Sequence, residues 1–133
     1  MISKTFSAKT ESLPLAIEFV EDELGKIGCS MKSVMQISIC VEEMFVNVAH
    51  YAYEGDDGEV TLNIDKESGL VSITLIASGI PFDPLAKDDP DITLSSEDRQ
   101  IGGLGIFMVK KSMNEVHYER RGEKNIFTMK KEI

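Results

Sequence analysis

The chain is expected to fold as an α+β two-layer sandwich, with about three helices lying on a mixed, mostly antiparallel sheet. Three observations point there. Apolar residues recur at helical spacing in three stretches and alternate in five others. The elements come in the order strand, two helices, two strands, long loop, helix, two strands, which places a layer of helices over a hairpin-rich sheet. The 133 residues suit a single domain over 1–133. A 42% apolar fraction with 28% charged residues suits a soluble chain that buries one core.

"ISKTFSA" alternates and reads as a first strand. "TES" followed by Pro14 marks a helix start, and Leu13, Ile17, Val20, Leu24 and Ile27 keep helical spacing until Gly28 ends the run. Its acidic "EDE" at 21–23 is read as solvent-facing. A second helix is expected from about Ser33 to Tyr53, with Val34, Ile37, Val41, Met44, Val48 and Ala52 toward the core. On another side Gln36, Cys40, Glu43 and Asn47 form a second, largely polar stripe, so this helix has core on one side and a site on the other.

"EVTLNID" and "LVSITLIA" alternate around "KESG" and read as an antiparallel hairpin, with Val60, Leu62 and Ile64 on one face. From Pro81 to about Arg99 the chain carries prolines and charges without a period, the signature of a long functional loop. "GGLGIFMVKKSM" begins a third helix, with Ile106, Val109 and Met113 inward. A hairpin, "EVHYERR" to "NIFTMKKEI", closes the chain.

The net charge of −9 argues against direct nucleic-acid or anionic membrane binding. It is unevenly spread: residues 1–98 hold 6 basic and 19 acidic side chains, residues 99–133 hold 8 and 4. A phosphate-bearing ligand finds its friendlier field at the C-terminal end. Cys29 and Cys40 imply neither a disulfide framework nor a zinc site. The polar start "MISKTFSAKTES" is no secretory signal, and no apolar run approaches the ~18 residues of a membrane helix, so the cytoplasm is expected.

Three pieces of sequence could meet at one nucleotide. In "EEMFVN", Glu43 and Asn47 lie one helical turn apart, so an amide oxygen could face Mg²⁺ beside a carboxylate that accepts a proton. In "GGLG", Gly102, Gly103, Leu104 and Gly105 precede a helix, where free N–H groups can approach phosphate oxygens. In "ASGIPFDP", Gly79 permits close approach to a flat base, and Phe82 either packs near it or fills the core.

The order and spacing of these pieces resemble the ATP-binding domain shared by gyrase, histidine kinases and mismatch-repair ATPases, and within it the anti-sigma-factor serine kinases of bacterial partner switching. "ICVEEMFVNVAHYAY" is similar to the N box of that superfamily, "SGIPFDP" to its G1 box and "IGGLGIFMVKKSMNEVHYERRGEKNIFTMKK" to its G2 box and closing hairpin. The likeness covers nearly all of the chain. It implies the Bergerat, or histidine-kinase-like ATPase, fold, with ATP and Mg²⁺ as cofactors. It also implies that Glu43 is the catalytic base, that Asn47 holds the metal, and that Gly103 and Gly105 lie under the phosphates. The loop from Asp83 to Ile101 would be the ATP lid, with Arg99 as a phosphate contact by charge and place. His50 and His117 are not needed as catalysts. The implied partners are an anti-anti-sigma protein phosphorylated on serine and a sequestered sigma factor, with a homodimer in some members.

One position departs from the pattern. The resemblance implies an Asp two residues before Gly79 to accept the adenine amino group, and this chain has Ala77 there. Ser78 points to the opposite face of a strand and cannot replace it. Loss of one charge-assisted hydrogen bond, roughly 1.5–3 kcal/mol, weakens ATP binding about tenfold to a hundredfold. Two readings therefore stand: a serine kinase with weakened adenine recognition, and a non-catalytic partner-switching module of the same fold. An ATPase of another branch is disfavoured.

Overall fold

The computed structural model describes residues 1–53, 57–86 and 103–133. Among these residues five strands form one sheet in the order β1-β2-β3-β5-β4: β1 Ile2–Ser7, β2 Glu59–Glu67, β3 Leu70–Ala77, β4 Glu115–Arg121 and β5 Lys124–Glu132. Every neighbouring pair is antiparallel, which sharpens the expectation of a mixed sheet. The cause is the connections. β1 is followed by two helices that run against each other, so the chain re-enters the sheet at β2 reversed, and β3 reaches its neighbour β5 through a helix and β4.

Helix α1, Leu13–Ile27, has Pro14 in its first turn and ends at Gly28, whose φ of 94° is the left-handed cap a glycine accepts without strain. Helix α2, Met31–Asn47, starts at Ser30, whose Oγ accepts the Ser33 N–H at 3.2 Å. It runs on through one widened turn, Val48–Ala52, so the helical path reaches close to the expected Tyr53. Helix α3 covers Gly103–Ser112. The hairpin of β2 and β3 closes on Ser68 and Gly69, both at positive φ, a tighter turn within the expected "KESG".

The core lies between the layers. Val60, Leu62 and Ile64 of β2, Val71, Ile73 and Leu75 of β3, and Phe127 and Met129 of β5 face Val20 and Leu24 of α1, Ile37, Val41 and Met44 of α2, and Ile106 and Val109 of α3. The other sheet face is open to solvent and carries a polar ladder in which Ser3 meets Asn63, Thr5 meets Thr61 and Thr74 meets Thr128. Helix α2 lies between its two companions, packed against both α1 and α3. The central helix thus has a flank turned to each neighbour, and the α3 flank holds the candidate site.

Candidate functional site

The α3 flank of α2 carries the polar stripe expected from sequence, although its members differ in exposure. Cys40 is buried beside Ser112 of α3, and burial pushes its thiol up to about 11. Glu43, one turn on, is half-buried, and its carboxylate lies directly against the backbone of Gly105. A Cβ built on Gly105 would overlap that carboxylate, so any larger residue there would displace it. Withdrawal from water raises the Glu43 pKa above its ordinary value, and the neighbouring Glu42 adds to the rise. A carboxylate so placed is a stronger proton acceptor than a solvated one.

Asn47 follows one turn further, only 6% exposed. Its amide nitrogen donates to the Glu43 backbone carbonyl at 2.6 Å, which commits the nitrogen and turns the oxygen into the group it can offer. An amide oxygen suits a hard cation such as Mg²⁺, which keeps most of its ligands as water and phosphate oxygens and takes only one or two from protein. Among the described residues no cluster of three His, Cys, Asp or Glu side chains gathers to cage a metal by itself.

Gly103, Leu104 and Gly105 form the first turn of α3, where backbone N–H groups have no partner within the helix. Gly102 and Arg99 lie outside the described residues, as does most of the loop expected to be a lid. The described start of that loop, Asp83 to Ala86, is a short turn in which the Asp83 carboxylate accepts the Leu85 N–H at 2.9 Å.

Just past the C-terminal end of α2 stands the "ASGIPFDP" turn, bonded along most of its length. The Ser78 N–H donates to the Tyr53 hydroxyl, which itself donates to the Glu59 carbonyl at 2.6 Å. The Gly79 carbonyl accepts from Arg120 at 3.0 Å, and the Ile80 N–H donates to the Ala52 carbonyl at 2.9 Å. Gly79 has φ 98°, and a Cβ on it would strike that same Ala52 carbonyl oxygen, so both conformation and space require glycine. Phe82 stacks on Tyr51 with ring centres 5.0 Å apart and packs onto Phe127, which settles its place in the core.

Asn125 went unnoticed in the sequence. Its side chain is fully buried, its oxygen accepts the Phe82 N–H at 3.1 Å and the Tyr118 hydroxyl at 2.5 Å, and its nitrogen donates to the Ile80 carbonyl at 2.9 Å. It pairs in register with Ala77, which is itself buried on the inner face of β3. A signal was present: in "NIFTMKK" the inward positions read Asn125, Phe127, Met129, and a polar residue in an inward slot requires partners. Ser78 is exposed, as strand alternation requires, and cannot stand in for Ala77. His50 and His117 are both exposed.

The structure therefore gathers Glu43, Asn47 and Gly105 at one corner and sets the Ala77–Gly79 stretch by the widened turn that follows α2. From Glu43 to Ala52, along the last turn of α2 and the widened turn after it, is about 13 Å at the usual rise per residue.

The chain is similar to known proteins in sequence and in fold. The chain is 24% identical to the serine/threonine-protein kinase BtrW of Bordetella bronchiseptica, across 92% of this chain and 94% of that one. It is 25% identical to the serine-protein kinase RsbW of Listeria monocytogenes, across 86% and 76%. The anti-sigma F factor of Clostridium acetobutylicum matches at 23%, across 96% and 90%. In fold it is similar to a crystal structure of RsbU and RsbW domains from Mycobacterium tuberculosis, with a TM-score of 0.66 at 13% identity, covering 99% of this chain and 32% of that one. It is also similar to the catalytic domain of the histidine kinase ThkA, with a TM-score of 0.54 at 13% identity, covering 99% and 97%. The model of the histidine kinase-like ATPase domain matches residues 6–131, and the chain belongs to that family.

Proposed function

We propose that the chain is an ATP-dependent protein-serine kinase and anti-sigma regulatory factor that phosphorylates an anti-anti-sigma partner and, in the other arm of the switch, holds a sigma factor. The observation that carries this reading is the Glu43 carboxylate lying against the start of α3, one turn from Asn47 on the same helix. Relatives named as serine-protein kinases and as an anti-sigma factor support it.

Bound ATP with Mg²⁺ supplies the phosphoryl group in this reading. The chain positions and neutralises. Asn47 offers its oxygen to the metal, and the first-turn N–H groups of α3 offer donors to the phosphates. Glu43 takes the proton of the attacking serine hydroxyl. The serine oxygen forms its bond to the γ-phosphorus as the bond to the β-phosphate oxygen breaks, and ADP departs with that electron pair. The raised pKa of Glu43 brings its basicity nearer to neutral pH.

Ala77 favours a second reading, a non-catalytic switch module, because a buried methyl stands where the resemblance implies a carboxylate. Calorimetric titration with ATP, with and without Mg²⁺, separates the two. The kinase reading expects Mg²⁺-dependent binding that Ala77→Asp tightens about tenfold to a hundredfold. Absence of binding to both proteins would leave the switch module.

A further inference from the structure

Helix α2 carries a row that neither the core nor the nucleotide corner uses in full. Met31, Met35, Ile39, Glu43 and Asn47 follow one another every four residues. Because four residues exceed one turn of 3.6, such a row slants around the helix. Exposure falls along it: Met31 is 79% exposed, Met35 60% and Ile39 47%, Glu43 is half-buried and Asn47 is 6% exposed. The row begins on open surface and descends beneath α3 to the carboxylate and amide. On α3, Met108 is 46% exposed and lies one turn along from the Gly105 that touches Glu43.

Large apolar side chains in a continuous exposed row are uncommon on a surface that stays wet, and methionines adapt to a partner's shape. We propose that Met31, Met35 and Ile39 form the docking strip for the protein that carries the acceptor serine. This rests on the kinase reading above. Ile39 is one turn, about 6 Å of rise, from Glu43, and Met31 about 18 Å, so a partner lying along the strip delivers a hydroxyl to the carboxylate at its end. The adjoining helix α1 turns Glu18, Glu21 and Asp22 to solvent, and Lys32 is the one cation on α2. The fitting occupant is therefore an apolar ridge with Lys or Arg on its α1 side. A second copy fits less well, since it would press a chain of net charge −9 against itself.

The test uses the full chain, [γ-³²P]ATP and the full-length anti-anti-sigma protein that the wild type phosphorylates. The double variant Met35→Glu/Ile39→Glu should raise KM for that protein roughly tenfold or more. It should leave kcat at saturating acceptor within about twofold and ATP affinity unchanged. Met35→Leu/Ile39→Leu should restore the wild-type KM, which a lost fold would not allow. An unchanged KM overturns the strip while leaving the kinase reading intact. A wild-type dimer that the double variant converts to monomer also overturns it, since the strip would then be a self-contact. If the wild type binds ATP yet phosphorylates no anti-anti-sigma protein, the kinase reading fails and the strip falls with it.

Discussion

The two ends of the helical segment from Glu43 to Ala52 are built on opposite plans. At the Gly79 end, backbone groups of the turn are taken up by Tyr53, Ala52, Arg120 and Asn125, and the space left is too small for a Cβ. At the Glu43 end, a carboxylate is drawn out of water with a raised pKa, and the start of α3 offers N–H groups without helical partners. The first end is complete as protein. The second carries costs that folding alone does not require, and such costs mark the corner where chemistry is proposed.

The largest effect expected from breaking this contrast is at the costly end. Glu43→Gln keeps the size of the side chain and its place against Gly105 but removes the proton acceptor. In a phosphate-transfer assay it should lower kcat about a hundredfold to ten-thousandfold, the usual contribution of a general base, while ATP binding by calorimetry stays at wild-type strength. Wild-type transfer by this variant removes Glu43 from the role of base.

The next effect belongs to the self-sufficient end. Asn125→Leu fits a similar volume but abandons the Phe82 N–H, the Ile80 carbonyl and the Tyr118 hydroxyl together. Unpaired groups in that setting should cost about 2–4 kcal/mol, read as a lower urea midpoint with an unchanged slope. A loss below about 0.5 kcal/mol would mean that water replaces the bonds and that the turn is not held by this side chain.

These two residues also mark how far the sequence was legible. Glu43 was readable because its partner Asn47 is four residues away on one helix, and local periodicity puts both on one side. The helices and hairpins followed from the same local rules, Leu13–Ile27 among them. Asn125 meets residues 7, 43 and 45 positions away, and such meetings depend on sheet register, which no short window contains. The contact of Glu43 with Gly105 was hidden for the same reason: it arises where α3 packs on α2, and the glycine in sequence spoke only of a phosphate turn.

A smaller effect sharpens that contact. Gly105→Ala puts a methyl where the Glu43 carboxylate now lies, and the end of a flexible side chain moves more easily than a backbone does. Transfer should fall about tenfold to a hundredfold through misplacement of the base. Stability should hold or rise by up to about 1 kcal/mol, because alanine is the better helix residue. A drop in stability of more than about 2 kcal/mol with unimpaired transfer would make the contact a packing feature alone.

The smallest effect is thermodynamic and ties the two ends together. A carboxylate whose pKa is raised on folding binds a proton more readily in the folded chain than in the unfolded one. Between the ordinary value of 4.5 and the raised one, the folded state holds more of that proton, so stability falls as pH rises through the window and stays lower above it. Glu43→Gln carries no such charge. Thermal melts should therefore show the variant above wild type at pH 7, with the gap closing as pH drops below 4.5. Asn125→Leu, which changes no titrating group, should shift the curve by a similar amount at both pH values. If the Glu43→Gln gap persists unchanged at acid pH, its gain comes from packing, and the carboxylate is not held at a cost.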